Sequence, residues 1–163
     1  MIPQRINLIL YSTLAVIICY IDRVNISVAI IPMQEQFGWS DSQVGFIFSS
    51  FYLGYMLTMA LGGYLSDKFG GKLVLGWGVV LWSIFTMLTP LAAHNGFFAL
   101  FFIRVLMGIG EGVTFPAWHS LYARWIPFNE RTRAIAFTNS GVSVGTIIGL
   151  SLIHISEPTR PLH

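Results

Sequence analysis

Charge is what this sequence has least of. Only 10% of its 163 residues are Asp, Glu, Lys or Arg, while 55% are hydrophobic. A soluble domain carries about 25% charged residues, so a water-facing surface cannot be assembled from this composition. That excludes a soluble enzyme, a nucleic-acid binder and a disordered segment. Cysteine is equally scarce. Cys19 stands alone in an apolar run, which excludes an intrachain disulfide and leaves packing as its role. There is no Ser-His-Asp grouping, no cluster of metal-ligand spacing and no phosphate-binding glycine loop, so neither an enzyme nor a bound cofactor is expected.

The missing charge is missing in long runs. Ile6–Ile21, Ser42–Ser66, Leu73–Ile103 and Ala134–Ser156 contain none. Each can cross a hydrocarbon core about 30 Å thick, which needs roughly 20 helical residues. The chain therefore reads as an all-α, multi-pass integral membrane protein held in the lipid bilayer. Five spans are expected: about Ile6–Ile31, ending at Pro32, then Gln43–Leu65, Leu73–Ala93, Phe97–Tyr122 and Thr132–Ile153. Connections as short as His94-Asn95-Gly96 suit antiparallel neighbours in a bundle. Arg5 and the run after it mimic a secretory signal, with Ser27-Val28-Ala29 as a cleavage site. Asp22-Arg23 interrupts the approach, and the apolar run resumes beyond it, so a first span is preferred.

Lys and Arg set the expected orientation. With the N-terminus on the cytoplasmic side, the inner segments hold Arg5, Lys68, Lys72, Arg124, Arg131 and Arg133. The outer connections, Met33–Ser42 and His94–Gly96, hold none. Trp39, Trp77 and Trp125 fall near span ends and read as interfacial anchors. Gly54, Gly62, Gly63, Gly108, Gly110 and Gly112 recur within spans, where small residues let helix backbones approach closely.

Four charges lie inside spans: Asp22 and Arg23 in the first, Arg104 and Glu111 in the fourth. A charge near the bilayer centre costs about 2.5–3.5 kcal/mol even on the lenient insertion scale, so these groups must face partners or a wet cavity. At about 1.5 Å per residue, Asp22 stands about 25 Å beyond Arg5, and Glu111 about 20 Å before Arg124. The two carboxyls are thus expected near one level. Arg104 and Glu111 are seven apart and share a helix face. One reading is a purely structural ion-pair network. The other gives each type a job: an Arg offers a planar, permanently charged fork for carboxylate or phosphate. Burial favours the protonated carboxyl and a neighbouring guanidinium the ionised one. An anion arriving on the Arg would weaken that pairing and let the carboxyl take a proton. Tyr20, Tyr55, Asn139 and Ser140 could present polar groups to the same cavity, or simply pack. His119, near the inner face, reads as structural.

One loop is specific. Gly63-Tyr64-Leu65-Ser66-Asp67-Lys68-Phe69-Gly70-Gly71-Lys72 joins the second and third spans. It resembles the signature loop of the major facilitator superfamily, with Gly63, Leu65, Asp67, Lys68, Gly70 and Lys72 matching and Gly71 replacing the usual basic residue. Tyr20-Ile21-Asp22-Arg23-Val24-Asn25, and Arg104-x-x-x-Gly108-x-Gly110-Glu111-Gly112 followed by Phe115-Pro116, resemble motifs of its anion:cation symporter family. Glu111–Ala117 through Trp125, with Glu130-Arg131-x-Arg133, is similar to the vesicular glutamate, sialic acid and phosphate transporter branch. Bacterial sugar-acid carriers share much of the pattern. Met59-Ala60-Leu61-Gly62-Gly63 departs from the Gln-x-Pro-Gly-Gly found in many members.

The resemblance covers about Asn7 to Leu150. It implies a secondary active carrier that symports a small anion with a proton or other cation by alternating access. By that likeness Arg23, Arg104, Tyr20 and Tyr55 engage the anion, with Asn139 and Ser140 as further candidates. Asp22 and Glu111 carry protons. Gly63, Asp67, Lys68, Gly70 and Lys72 form a conformational gate. It further implies five helices of an N-terminal six-helix half, with the C-terminal half as the missing partner, in a plasma or inner membrane for a bacterial source. Residues 154–163 read as a non-native or disordered tail, resembling translated sequencing adapter, with a genuine short tail as the alternative. An exchanger, a uniporter and a non-transporting receptor or assembly subunit are the competing functions.

Overall fold

The computed structural model describes residues 4–156, so the expected tail lies, from residue 157 onward, outside the described residues. The described chain is helical: α1 (Gln4–Phe37), α2 (Asp41–Phe69), α3 (Gly71–His94), α4 (Phe97–Gly112), α5 (Thr114–Trp125) and α6 (Phe128–Ser156). Five stretches among the described residues are long and apolar enough to cross a membrane, with α4 and α5 together supplying one, Phe97–Trp125. The fold is the expected all-α membrane architecture of an integral, multi-pass protein.

Three expectations about the elements are corrected. The first span does not stop at Pro32, because α1 runs through it to Phe37. A proline deletes one hydrogen bond, which a long helix tolerates. The stop comes at Gly38, with φ +64° and the Trp39 N–H donating to the Gln34 carbonyl at 3.2 Å, a left-handed glycine cap. The fourth span is not one continuous helix either. Pro116 has no N–H for the Gly112 carbonyl and its ring crowds that oxygen, and the helix breaks at Val113. Trp39 is not an interfacial anchor: it is buried and stacked on Phe37 at 5.1 Å. Trp77 and Trp125 are exposed, as anchors require.

The chain divides into two compact bodies. The first takes α1 up to Pro32 and α6 from Thr132. Ser12, Thr13, Val16, Cys19, Ile26 and Ile30 are the buried residues of α1. Gly141, Gly145 and Gly149, four apart on α6, are the residues that meet it. A Cβ at Gly145 would lie 2.5 Å from the Ile17 carbonyl oxygen, and one at Gly149 would lie 3.1 Å from Val24 Cβ. Thr13 Oγ1 donates to Thr138 Oγ1 at 3.4 Å in the same seam.

The second body, residues 33–131, is built around α4. Gly54 of α2 abuts the Val105 carbonyl, and Gly108 abuts the Phe51 carbonyl. On the other flank a Cβ at Gly78 of α3 would lie 2.8 Å from the Gly110 carbonyl oxygen. Gly62 and Gly71 make the same close approach to Pro116 and to the Ala117 carbonyl of α5. The packing reading of these glycines holds, except at Gly63, which has nothing within 4 Å of its Cβ direction. Phe51, Trp82 and Met107 form one buried cluster, and Val74, Val113 and Ala117 another. Ser40 starts α2 with a capping box: its N–H donates to Gln43 Oε1 at 2.9 Å, and Gln43 N–H returns to Ser40 Oγ at 3.4 Å.

Candidate functional site

In the second body, α4 carries both expected charges inside the protein. Arg104 is 3% exposed and Glu111 is 1% exposed. Lying seven apart on one helix, they share a face. The Arg104 seat is defined by three helices. Its guanidinium carbon stands 4.9 Å from the centroid of the Phe51 ring on α2, a cation–π distance. Its Nη1 donates to Met107 Sδ at 3.2 Å, one turn along α4. Thr86 of α3 donates to the same sulfur at 3.8 Å, and Trp82 closes the cluster. Tyr55 is half-buried and stacked on Phe51, with centroids 5.9 Å apart. Phe51, Trp82, Thr86 and Met107 are the site residues that sequence reading missed. Met107, three residues from Arg104, was within reach of helical spacing; the other three belong to different helices and have no local signal.

In the first body, the Arg23 guanidinium lies over the Tyr20 ring at 4.9 Å, and both residues are half-buried, as is Asp22. Asn139 and Ser140 are exposed on α6, and the Ser140 hydroxyl donates to the Phe137 carbonyl of its own helix at 2.6 Å. The structure thus brings Tyr20 to Arg23 and Tyr55 to the Phe51–Arg104 pair. Asp22, Arg23, Tyr20, Asn139 and Ser140 belong to one body, Tyr55, Arg104 and Glu111 to the other.

The loop between α2 and α3 is a one-residue turn at Gly70, with φ +88°. Its N–H donates to the Ser66 carbonyl at 3.0 Å and closes α2. Lys68 Nζ stands 5.8 Å from the Tyr64 ring and 5.5 Å from the Phe69 ring. Arg124, at the end of α5, reaches the backbone carbonyl of Asp67 at 3.5 Å. Gly71 replaces a basic residue for a steric reason visible here: α5 leaves no room for a side chain. His119 is exposed and stacked on Trp118 at 3.8 Å, a packing contact.

An arginine and a carboxylate buried on one membrane-crossing helix, with a tight basic turn between α2 and α3, mark a polytopic membrane protein that carries charge inside its helix bundle. The sequence profile of the Major Facilitator Superfamily matches residues 12–155, and the chain belongs to that superfamily. A probable chloroplastic anion transporter 4 of Oryza sativa subsp. japonica is 50% identical over 91% of the chain, which covers 25% of that protein. A chloroplastic ascorbate transporter of Arabidopsis thaliana is 48% identical over 91% of the chain, covering 28% of the relative. A chloroplastic sodium-dependent phosphate transport protein 1 of Arabidopsis thaliana is 46% identical over 93%, covering 30% of the relative. Among solved structures, an inward-facing, occupied bacterial homologue of the human lysosomal transporter Spinster matches with TM-score 0.84 and 31% identity. That match covers 91% of this chain and 32% of the other. The chain thus spans a quarter to a third of the length of these relatives.

Proposed function

We propose that this chain forms part of a secondary active carrier that moves a small organic or inorganic anion by alternating access. The carrying observation is Arg104: a guanidinium 3% exposed, on a membrane-crossing helix, seated on an aromatic ring and a thioether. A permanently charged fork in a low-dielectric site is a receptor for carboxylate or phosphate. The names of the relatives, which include anion, phosphate and ascorbate transporters, support the same substrate class.

In this reading Arg104 and Arg23 engage the anion, Tyr20 and Tyr55 shape the two arginine seats, and Asn139 and Ser140 add hydrogen bonds. Glu111 and Asp22 take up a proton when the arriving anion draws the guanidinium charge away, which makes the carrier a symporter. Sodium is the other coupling ion to test, since one relative is named for sodium dependence. Asp67, Lys68 and Lys72, with Gly63 and Gly70, form a gate that holds one conformation through Arg124 and releases it in the other. The setting is a plastid membrane by the relatives' names, or a bacterial plasma membrane, with the N-terminus cytoplasmic. Further helices of the longer carrier complete the pathway.

The test is uptake by the full-length carrier in vesicles. Arg104→Lys should lower anion uptake at least about tenfold, the effect of losing a charged hydrogen-bond fork. Glu111→Gln should abolish the response to a pH gradient while leaving anion exchange intact. Unchanged proton-driven uptake in Glu111→Gln would refute the coupling; an exchanger would show gradient-independent exchange in the parent protein.

A further inference from the structure

The face of α4 opposite Arg104 carries a second feature. At about 100° per residue, Val113 lies half a turn of the helix wheel away from Arg104. There, between α2 and α3, a groove of about 240 Å³ is floored by Ile109, Gly110 and Val113. The glycine contacts described above draw α4 between the two outer helices and keep them apart, and the groove is the space that remains. Its walls run from Thr58 to Phe69 on α2 and from Leu73 to Leu81 on α3, about 12 to 16 Å of helix. The lining is apolar except for the Trp77 indole N–H and for Thr58, whose hydroxyl already donates to the Gly54 carbonyl at 3.0 Å. Nothing in it would hold water or a polar solute.

One end of the groove is basic. Phe69 forms its wall there, and Lys68 Nζ lies 5.5 Å from that ring. Lys72 is exposed beside Leu73, another wall residue, and Arg124 reaches the same turn. Three cations face one carboxylate, Asp67. Trp77, in the α3 wall, is 61% exposed one turn further in.

A dry channel ending at a cationic mouth matches one kind of molecule present in every membrane, and we propose that the groove binds an anionic phospholipid. Its acyl chain lies along Leu65, Trp77 and Val113, and its phosphodiester meets Lys68 and Lys72. A neutral lipid would satisfy only the channel. A segment of the longer carrier would satisfy it without needing the lysines.

Trp77 reports the occupant. The full-length carrier is placed in phosphatidylcholine vesicles containing a minor fraction of phosphatidylglycerol with brominated acyl chains, or the same fraction of brominated phosphatidylcholine. Trp77 fluorescence is taken as the difference between parent and Trp77→Phe. The brominated anionic lipid should quench Trp77 several-fold more strongly than the neutral one, and salt should weaken the excess. Lys68→Gln and Lys72→Gln should each reduce the preference about fivefold, the effect of one lysine near an anionic headgroup. Both sites are exposed, and matching melting temperatures would confirm that the variants remain folded. Equal quenching by the two lipids would show bulk lipid only. No quenching by either would show the groove covered by protein. An excess surviving the double variant would remove the headgroup contact. Each of these three results overturns the proposal.

Discussion

Arg104 shows how a membrane protein keeps a guanidinium indoors. Phe51 offers a π face at 4.9 Å and Met107 a soft sulfur at 3.2 Å, and neither adds a negative charge to the site. A cation–π contact in a desolvated setting contributes about 1–2 kcal/mol. If Arg104 holds the anion, Phe51→Leu should therefore raise KM for uptake roughly five- to thirtyfold with little change in kcat, while Phe51→Tyr should stay near the parent value. Kinetics on the full-length carrier decide it, and equal losses in KM and kcat would point to a packing role alone. At the turn, Gly70 adopts φ +88° and ψ 132°, a region nearly closed to residues with a Cβ. Gly70→Ala should destabilise the protein by about 1–3 kcal/mol, read as a lower melting temperature in detergent.

Among the elements, glycine decides which helices can touch. Gly108 packs against the Phe51 carbonyl with no space for a methyl group, whereas Gly63 faces open space. Gly108→Ala should cost about 1–3 kcal/mol by overpacking. Gly63→Ala should be neutral or stabilising by about 0.5–1 kcal/mol, since alanine favours helix at an unhindered position. Thermal unfolding of the two variants side by side checks the contrast. Element boundaries show where sequence reading falls short. A proline looked like a stop at Pro32, yet the helix passes through it and ends at Gly38. Pro116, lying inside the expected fourth span, parts it into α4 and α5 at Val113. Both prolines delete one bond, so the outcome rests on the packing around each: Gly62 and Gly112 let α2 close on the Pro116 segment.

For the whole molecule, the skew of Lys and Arg makes an orientation prediction. With Cys19→Ser as background, Lys72→Cys should react with an impermeant thiol reagent from the cytoplasmic side and Asn95→Cys from the opposite side. Labelling both from one side would reject the five-span topology. That topology was legible in the sequence because lipid imposes it. Hydrocarbon excludes charge and demands internally satisfied backbones, so spans, helical class and the rarity of Asp22, Arg23, Arg104 and Glu111 follow from composition and spacing alone. The superfamily loop was legible for a similar reason, since Gly70 meets a local backbone requirement, a positive φ in a one-residue turn. What surrounds Arg104 was not legible. Phe51, Trp82 and Thr86 look like any residues of an apolar helix, and only the approach of α2 and α3 to the glycines of α4 sets Phe51 against the guanidinium and Trp82 and Thr86 against Met107. The dry groove behind α4 exists for the same reason. Sequence determined what must enter the membrane; tertiary packing decided which side chains the buried charges would meet, because those contacts join residues that no local spacing relates.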